Sequence, residues 1–209
     1  MCSSDLRARA AGRPATPGEI EATVRALLRD REVRRRLAGM RAAGARVVYH
    51  QVDVRDAPAL MALVETLYRE YGRLDAVVHG AGVIEDRLLA DKAPASFDRV
   101  FDTKVVAAWA LARALRPEGL RLVVFFASVA GRFGNRGQAD YAAANETLSK
   151  LARALDAAWP ARVVAIAWGP WAGGGMVSEG VARQFAARGI GLVDPAAGRR
   201  AFDDEVTRG

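Results

Sequence analysis

The chain has 209 residues, 51% of them hydrophobic, and a single cysteine, Cys2; the length suits one α/β domain with a sizeable core, and a lone cysteine excludes an internal disulfide and makes a cytoplasmic setting the expectation. No apolar run approaches the roughly 20 residues that span a bilayer, and Arg7, Arg9 and Arg13 break up any signal-peptide core, so no membrane is expected. The net charge of +7 is no nucleic-acid footprint, because residues 1–46 hold 11 Lys+Arg against 5 Asp+Glu while the remainder holds 20 against 19, which leaves the globular part nearly neutral and no nucleic acid expected.

Residues 1–18 contain Gly12, Pro14, Pro17 and Gly18 without an apolar rhythm and read as a disordered leader or remnant. From Glu19 to Ala43, Ile20, Val24, Leu27 and Leu28 fall on one helical face, and Gly44 is placed to end the helix. Arg34, Arg35 and Arg36 read as its solvated side, with an acidic partner as the alternative. Arg46–Val52 reads as a strand, Pro58–Tyr71 as an amphipathic helix stopped by Gly72, and Leu74–His79 as a buried strand. A loop leads to a helix from about Ser96 to Leu115, then to the apolar strand Leu122–Ala127, a glycine-rich loop and a helix from about Asp140 to Ala158. Arg162–Trp168 is the last predicted strand, followed by a Gly/Pro loop and a last helix around Val181–Arg188.

Strands separated by helices imply right-handed crossovers and a doubly wound parallel sheet with helices on both faces. Unbroken apolar runs such as VVFF agree, since such strands are covered on both sides. Ligands bind these folds at the carboxyl ends of the strands. There the chain places Asp53, then Gly80-Ala81-Gly82, then Ser128, then Gly169-Pro170.

Ser128 follows directly on the LVVFFA strand, and Tyr141 and Asn145 stand four apart at a helix start, hence on one face. A tyrosine acts near neutral pH only when its phenolate is stabilised, and a lysine ammonium nearby serves that end. Spacing alone also allows ordinary roles: a serine capping a strand end, an amphipathic tyrosine, an asparagine on a polar face. His50 and His79 lie on predicted strands without metal-ligating companions, so they read as packed or hydrogen-bonded and no metal is expected.

The segment GRFGNRGQADYAAAN, 131–145, with Ser128 before it, resembles the short-chain dehydrogenase/reductase superfamily. More narrowly it is similar to ketoreductase domains of type I polyketide synthases and polyunsaturated fatty-acid synthases. Most of the superfamily has lysine four residues after the tyrosine; here Asn145 stands there and a lysine lies upstream in FDTKVVAAW, at Lys104, the exchange typical of synthase ketoreductases. DVRD at 53–56, LDAVVHGAGV at 74–83 and WGPWAGGGM at 168–176 extend the likeness over roughly residues 40–205.

The resemblance implies a Rossmann-like fold and reduction of a 3-oxoacyl group, carried on the phosphopantetheine of an acyl carrier protein, to the 3-hydroxyacyl group in polyketide or fatty-acid biosynthesis. NADPH is the implied cofactor, and the other synthase domains are implied partners. Tyr141 would be the general acid and Ser128 would polarise the same oxygen. Lys104 would lower the Tyr141 pKa and hold a ribose hydroxyl, with Asn145 orienting Lys104 and a relay water. Asp53 and Val54 match the adenine loop, Gly80, Ala81 and Gly82 the stretch where the dinucleotide approaches, and Gly169 and Pro170 the loop beside the nicotinamide. Lys104 and Tyr141 also count as cofactor contacts.

Ile84-Glu85-Asp86 occupies the place of a Leu-Asp-Asp motif, and Phe133 the place where the opposite stereochemical class has tryptophan, which implies a B-type alcohol. A solvated loop is the alternative for Glu85 and Asp86. Trp168 and Trp171 line a substrate entrance or pack as core, and the glycines of residues 172–180, around Met176, suit a lid.

The glycine-rich turn that should receive a pyrophosphate at a helix N-terminus is not found in the 209 residues. The expectation is therefore a partial ketoreductase domain over 19–209, lacking its first strand–turn–helix unit, as a truncated or fragmentary chain. A stand-alone reductase of small carbonyl compounds and a non-catalytic structural subdomain of a synthase remain as alternatives.

Overall fold

The computed structural model describes residues 16–173 and 179–208. The chain divides into two compact units, Met1–Gln51 and Val52–Gly209. In the first, α1 (Pro17–Ala42) starts two residues before the predicted point. Thr16 is the reason: its Oγ1 accepts from Glu19 N at 3.3 Å while Glu19 Oε2 accepts from Thr16 N at 2.8 Å, a reciprocal capping box, with Pro17 fixing the first helical φ. The predicted leader lies outside the described residues up to position 15.

The strand expected at Arg46–Val52 does not form; the segment has no regular structure and enters no ladder. Its β-branched composition suits a strand, yet a strand exists only by pairing, and the segment pairs with no described strand.

The second unit is a parallel sheet in the order β1 (Ala76–His79), β2 (Leu122–Ser128), β3 (Arg162–Trp168). His79 pairs with Phe125, and Ser128 with Trp168. α2 (Ala57–Tyr71) is capped by Asp56, whose Oδ1 accepts from Ala59 N at 3.0 Å, and buries Leu60, Val64 and Tyr68, one residue per turn. α3 (Pro94–Ala114) and α5 (Ala139–Ala158) pack together on the sheet. Between β2 and α5 lies a short helix, α4 (Val129–Phe133), where sequence reading placed a loop. α6 (Glu179–Ala187) and α7 (Pro195–Arg208) complete the unit, and α7 was not anticipated.

β2 is the central strand, and its alternation sorts the two layers. Val123, Phe125 and Ala127 join the core with α2, α3 and α5. Phe126 faces the other side, where its ring lies 5.8 Å from Trp168 and 5.7 Å from Phe202 of α7. Arg162 of β3 pairs with Glu205, fastening α7 along the same side. Among the described residues, no helix is long and apolar enough to cross a membrane and no group of three metal-ligating side chains occurs.

Candidate active site

At the carboxyl ends of β1, β2 and β3 lies a cleft of about 760 Å³. Its floor combines Lys104, Ser128 and Tyr141, three residues drawn from three elements and separated by up to 37 positions in the chain. Gly80, Gly169 and Pro170 line it at the strand ends, and Asp86, Phe133, Trp168 and Trp171 form its walls.

Lys104 arrives there because of the packing of α3. Val100, Thr103, Lys104, Ala107, Ala108 and Leu111 form the buried stripe of that helix, so the lysine stem runs through the core. Only 3% of the residue is exposed, and its Nζ donates to the Phe126 carbonyl oxygen at 2.8 Å. The ammonium sits 5.7 Å from the centroid of the Tyr141 ring. Burial pulls its pKa from 10.5 down to about 8. With one donor spent on Phe126, two N–H groups remain for a ligand.

β2 delivers Ser128, whose Oγ also accepts from Ala130 N at 3.2 Å and so begins α4. α4 then lies directly on α5. A Cβ at Gly131 would stand 2.7 Å from Glu146 N and 3.1 Å from Asn145 Cβ, an approach open only to glycine. On α5, Asn145 sits one turn behind Tyr141, wholly buried, with Nδ2 donating to the Tyr141 carbonyl oxygen at 2.7 Å. It does not line the cleft. Its Oδ1 is buried without a partner, an acceptor that calls for a donor at the back of the site.

Burial raises the Tyr141 phenol above its ordinary value; the Ser128 and Asn145 side chains act the other way, and the charge of Asp86 adds to the rise. The net direction is therefore opposite to the lowering expected from Lys104, because desolvation outweighs the polar neighbours.

The other predicted residues are dispersed. Asp53 is engaged by Arg55 at 2.7 Å, which holds its carboxyl at about 2, and Val54 packs against the core. Ala81 and Gly82 follow β1 in a segment without regular structure, outside the cleft lining. Glu85 turns away from the cleft to Ser96 at 2.5 Å and Arg99 at 2.7 Å; the arginine first and then the serine lower its pKa to about 2. Asp86 faces the cleft and accepts from Gln138 Nε2 at 3.0 Å. Met176 and most of the predicted lid lie outside the described residues. His79 is a packed histidine, its Nε2–H donating to the Lys104 carbonyl oxygen at 2.9 Å, with burial lowering its pKa.

Two features escaped sequence reading. Gln138 and Gly131 were visible inside the 131–145 segment, but their partners were not. Gly198 of α7 gives a seat to Trp171: a Cβ there would lie 2.3 Å from the indole. Trp171 is further fixed by Val193, whose N donates to Pro170 O at 2.7 Å and whose O accepts from Ala172 N at 2.9 Å. Gly198→Ala is expected to cost about 1–3 kcal/mol by overpacking and to shift tryptophan emission. Unchanged unfolding and emission spectra would mean that the indole has room to spare.

With this geometry in view, a family model described as the KR domain matches residues 17–173. A polyunsaturated fatty acid synthase from Thraustochytrium sp. is 37% identical over 179 residues, which is 85% of this chain and 6% of that protein. Polyketide synthase GfsA of Streptomyces halstedii is 44% identical over 139 residues, 66% of this chain and 2% of that protein. A solved ketoreductase from the first module of phoslactomycin biosynthesis in Streptomyces sp. HK803 aligns with a TM-score of 0.74 at 37% identity, over 79% of this chain and 38% of that one. The chain thus spans a small part of the synthases it resembles.

Proposed function

The chain belongs to the KR-domain family of synthase ketoreductases, NAD(P)-dependent oxidoreductases, and from that premise we propose that it takes part in NADPH-dependent reduction of a 3-oxoacyl thioester, carried on an acyl carrier protein, to the 3-hydroxyacyl thioester. The observation that carries this reading is the meeting of Lys104, Ser128 and Tyr141 in one cleft, with Asn145 buried behind them.

The nicotinamide end of a dinucleotide fits these residues. Two free N–H groups on Lys104, the side-chain-free edge at Gly80 and the Gly169-Pro170 turn suit a ribose and its ring. No glycine-rich phosphate turn matches the other end within residues 1–209. When bound, the dinucleotide supplies a hydride. Tyr141 gives its phenolic proton to the substrate oxygen, and Ser128 donates a hydrogen bond to that oxygen. Lys104, which faces the phenol, would hold the ribose, and the unpartnered Oδ1 of Asn145 would accept from a water able to replenish the proton. Asp86 and Phe133 border the cleft, and the resemblance at these two positions is what supports a B-type product.

The test is NADPH consumption by the purified chain with a 3-oxoacyl thioester on a carrier protein and as a free thioester. Faster turnover on the carrier is expected, whereas preference for free small ketones would favour a stand-alone reductase. In a second reading the chain alone does not retain the dinucleotide. Calorimetric titration with NADPH separates the two: micromolar binding excludes the second reading, and no heat with no turnover excludes the first.

A further inference from the structure

A buried ion pair joins the wall of the cleft to the helix that presents Tyr141. Lys92 Nζ lies 2.5 Å from Asp140 Oδ2, and the two side chains are 1% and 2% exposed. The same Nζ donates to the Glu85 carbonyl oxygen at 2.5 Å, and Asp140 Oδ1 accepts from Tyr141 N at 2.8 Å. These bonds run without a break from the main chain of the 84–86 segment to the main chain of Tyr141. Two further ties lie in parallel: Gln138 Nε2 to Asp86 at 3.0 Å, and Arg87 N to the Gly137 carbonyl oxygen at 2.9 Å. Every member of this set comes from the wall segment, from the turn ahead of α3 or from the start of α5.

A buried ion pair is a poor device for stability alone, since apolar residues of similar volume often serve as well or better. What it does supply is registry, because an ion pair with both ends hydrogen-bonded tolerates little displacement. Here the groups brought into registry are Tyr141, which stands under the substrate oxygen in the proposed reaction, and Asp86, which borders the substrate beside it. A shift of the wall against α5 would change how the carbonyl lies over the phenol while leaving each side chain intact.

We propose that Lys92 and Asp140 are positioning residues, which hold the 84–86 wall in register with Tyr141 and so fix the face of the ketone that is reduced. The proposal rests on the ketoreductase reading. Neither residue touches the cleft, and Lys92 stands 48 positions from Asp140, so no local motif announces the pair.

The decisive variant is the double Lys92→Met, Asp140→Asn, which removes both buried charges, keeps a side-chain carbonyl at position 140 to accept from Tyr141 N, and deletes the tie to Glu85. Its unfolding midpoint should match or exceed that of the parent chain, whereas each single variant, left with one unpaired buried charge, should unfold earlier or fail to fold. With a racemic 2-methyl-3-oxoacyl thioester and NADPH, the double variant should show kcat lower by about tenfold, KM within about twofold, and an eroded ratio of product stereoisomers. A double variant with parental kcat and stereoisomer ratio would make the pair merely structural and overturn the proposal. Should the parent chain itself show no turnover, it is the ketoreductase reading that fails. The pair is then judged by amide exchange at Arg87, which should quicken about tenfold in the double variant; unchanged exchange would overturn the proposal.

Discussion

Tyr141→Phe is expected to lower ketone reduction by about a thousandfold, in line with loss of a positioned general acid, while the fold is retained. Phenylalanine keeps the ring that faces Lys104 at 5.7 Å and gives up only the hydroxyl. Burial holds the phenol above the usual tyrosine range, so the acid form prevails throughout neutral pH. The sign for stability follows. A folded-state pKa above the unfolded value of 10.0 means that the folded chain holds the proton more tightly, so parental stability falls as pH rises beyond 10.0 toward the folded pKa. The phenylalanine variant should lack that part of the decline. Steady-state rates and urea melts across alkaline pH check both halves, and a variant keeping more than about a tenth of parental turnover would remove Tyr141 from the role of acid.

Lys104→Met should separate activity from stability. Turnover is expected to fall about a hundredfold, because no other ammonium lines the described cleft between Tyr141 and the strand ends. Stability near neutral pH should rise instead. A pKa depressed from 10.5 to about 8 by desolvation costs about 1.4 kcal/mol per pH unit, against about 1 kcal/mol for the hydrogen bond to the Phe126 carbonyl oxygen. The unfolded chain holds more protons than the folded one between pH 8 and 10.5, so parental stability gains with pH across that window. The advantage of methionine should be largest below pH 8 and shrink above it. Equal pH dependence in the two proteins would show that Lys104 is not held in a desolvated place.

The readable part of this protein is what local pattern determines. The 3.6-residue rhythm of α3 and α5 and the unbroken apolar runs of β2 and β3 gave element types and near-correct bounds, since each pattern is itself the cause of burial. The four catalytic candidates came from a motif, and three of them do share a cleft. Arg46–Val52 misled because its composition is that of a strand while pairing is a property of neighbours. α7 went unnoticed because its aromatic contact with the sheet side, the half-buried Phe202, lies amid charged residues and beyond Gly198. α4 was hidden by Gly131 and Gly134, whose glycines suggested a loop where one of them serves close helix contact. The Lys92–Asp140 pair is a tertiary fact, invisible to any window short enough to scan.

The polar wiring of the site is largely spliced to main-chain atoms. Lys104 is held by the carbonyl of Phe126, Asn145 by the carbonyl of Tyr141, and Lys92 by the carbonyl of Glu85. A main-chain acceptor survives any replacement of the side chain that shares its residue. A change of the Phe126 side chain therefore disturbs its packing on Trp168 and Phe202 but leaves the oxygen that holds the lysine in place. The bulk of the side chain at position 126 and the anchoring of Lys104 are therefore separable, whereas the 84–86 wall is bonded through to Tyr141 and is not.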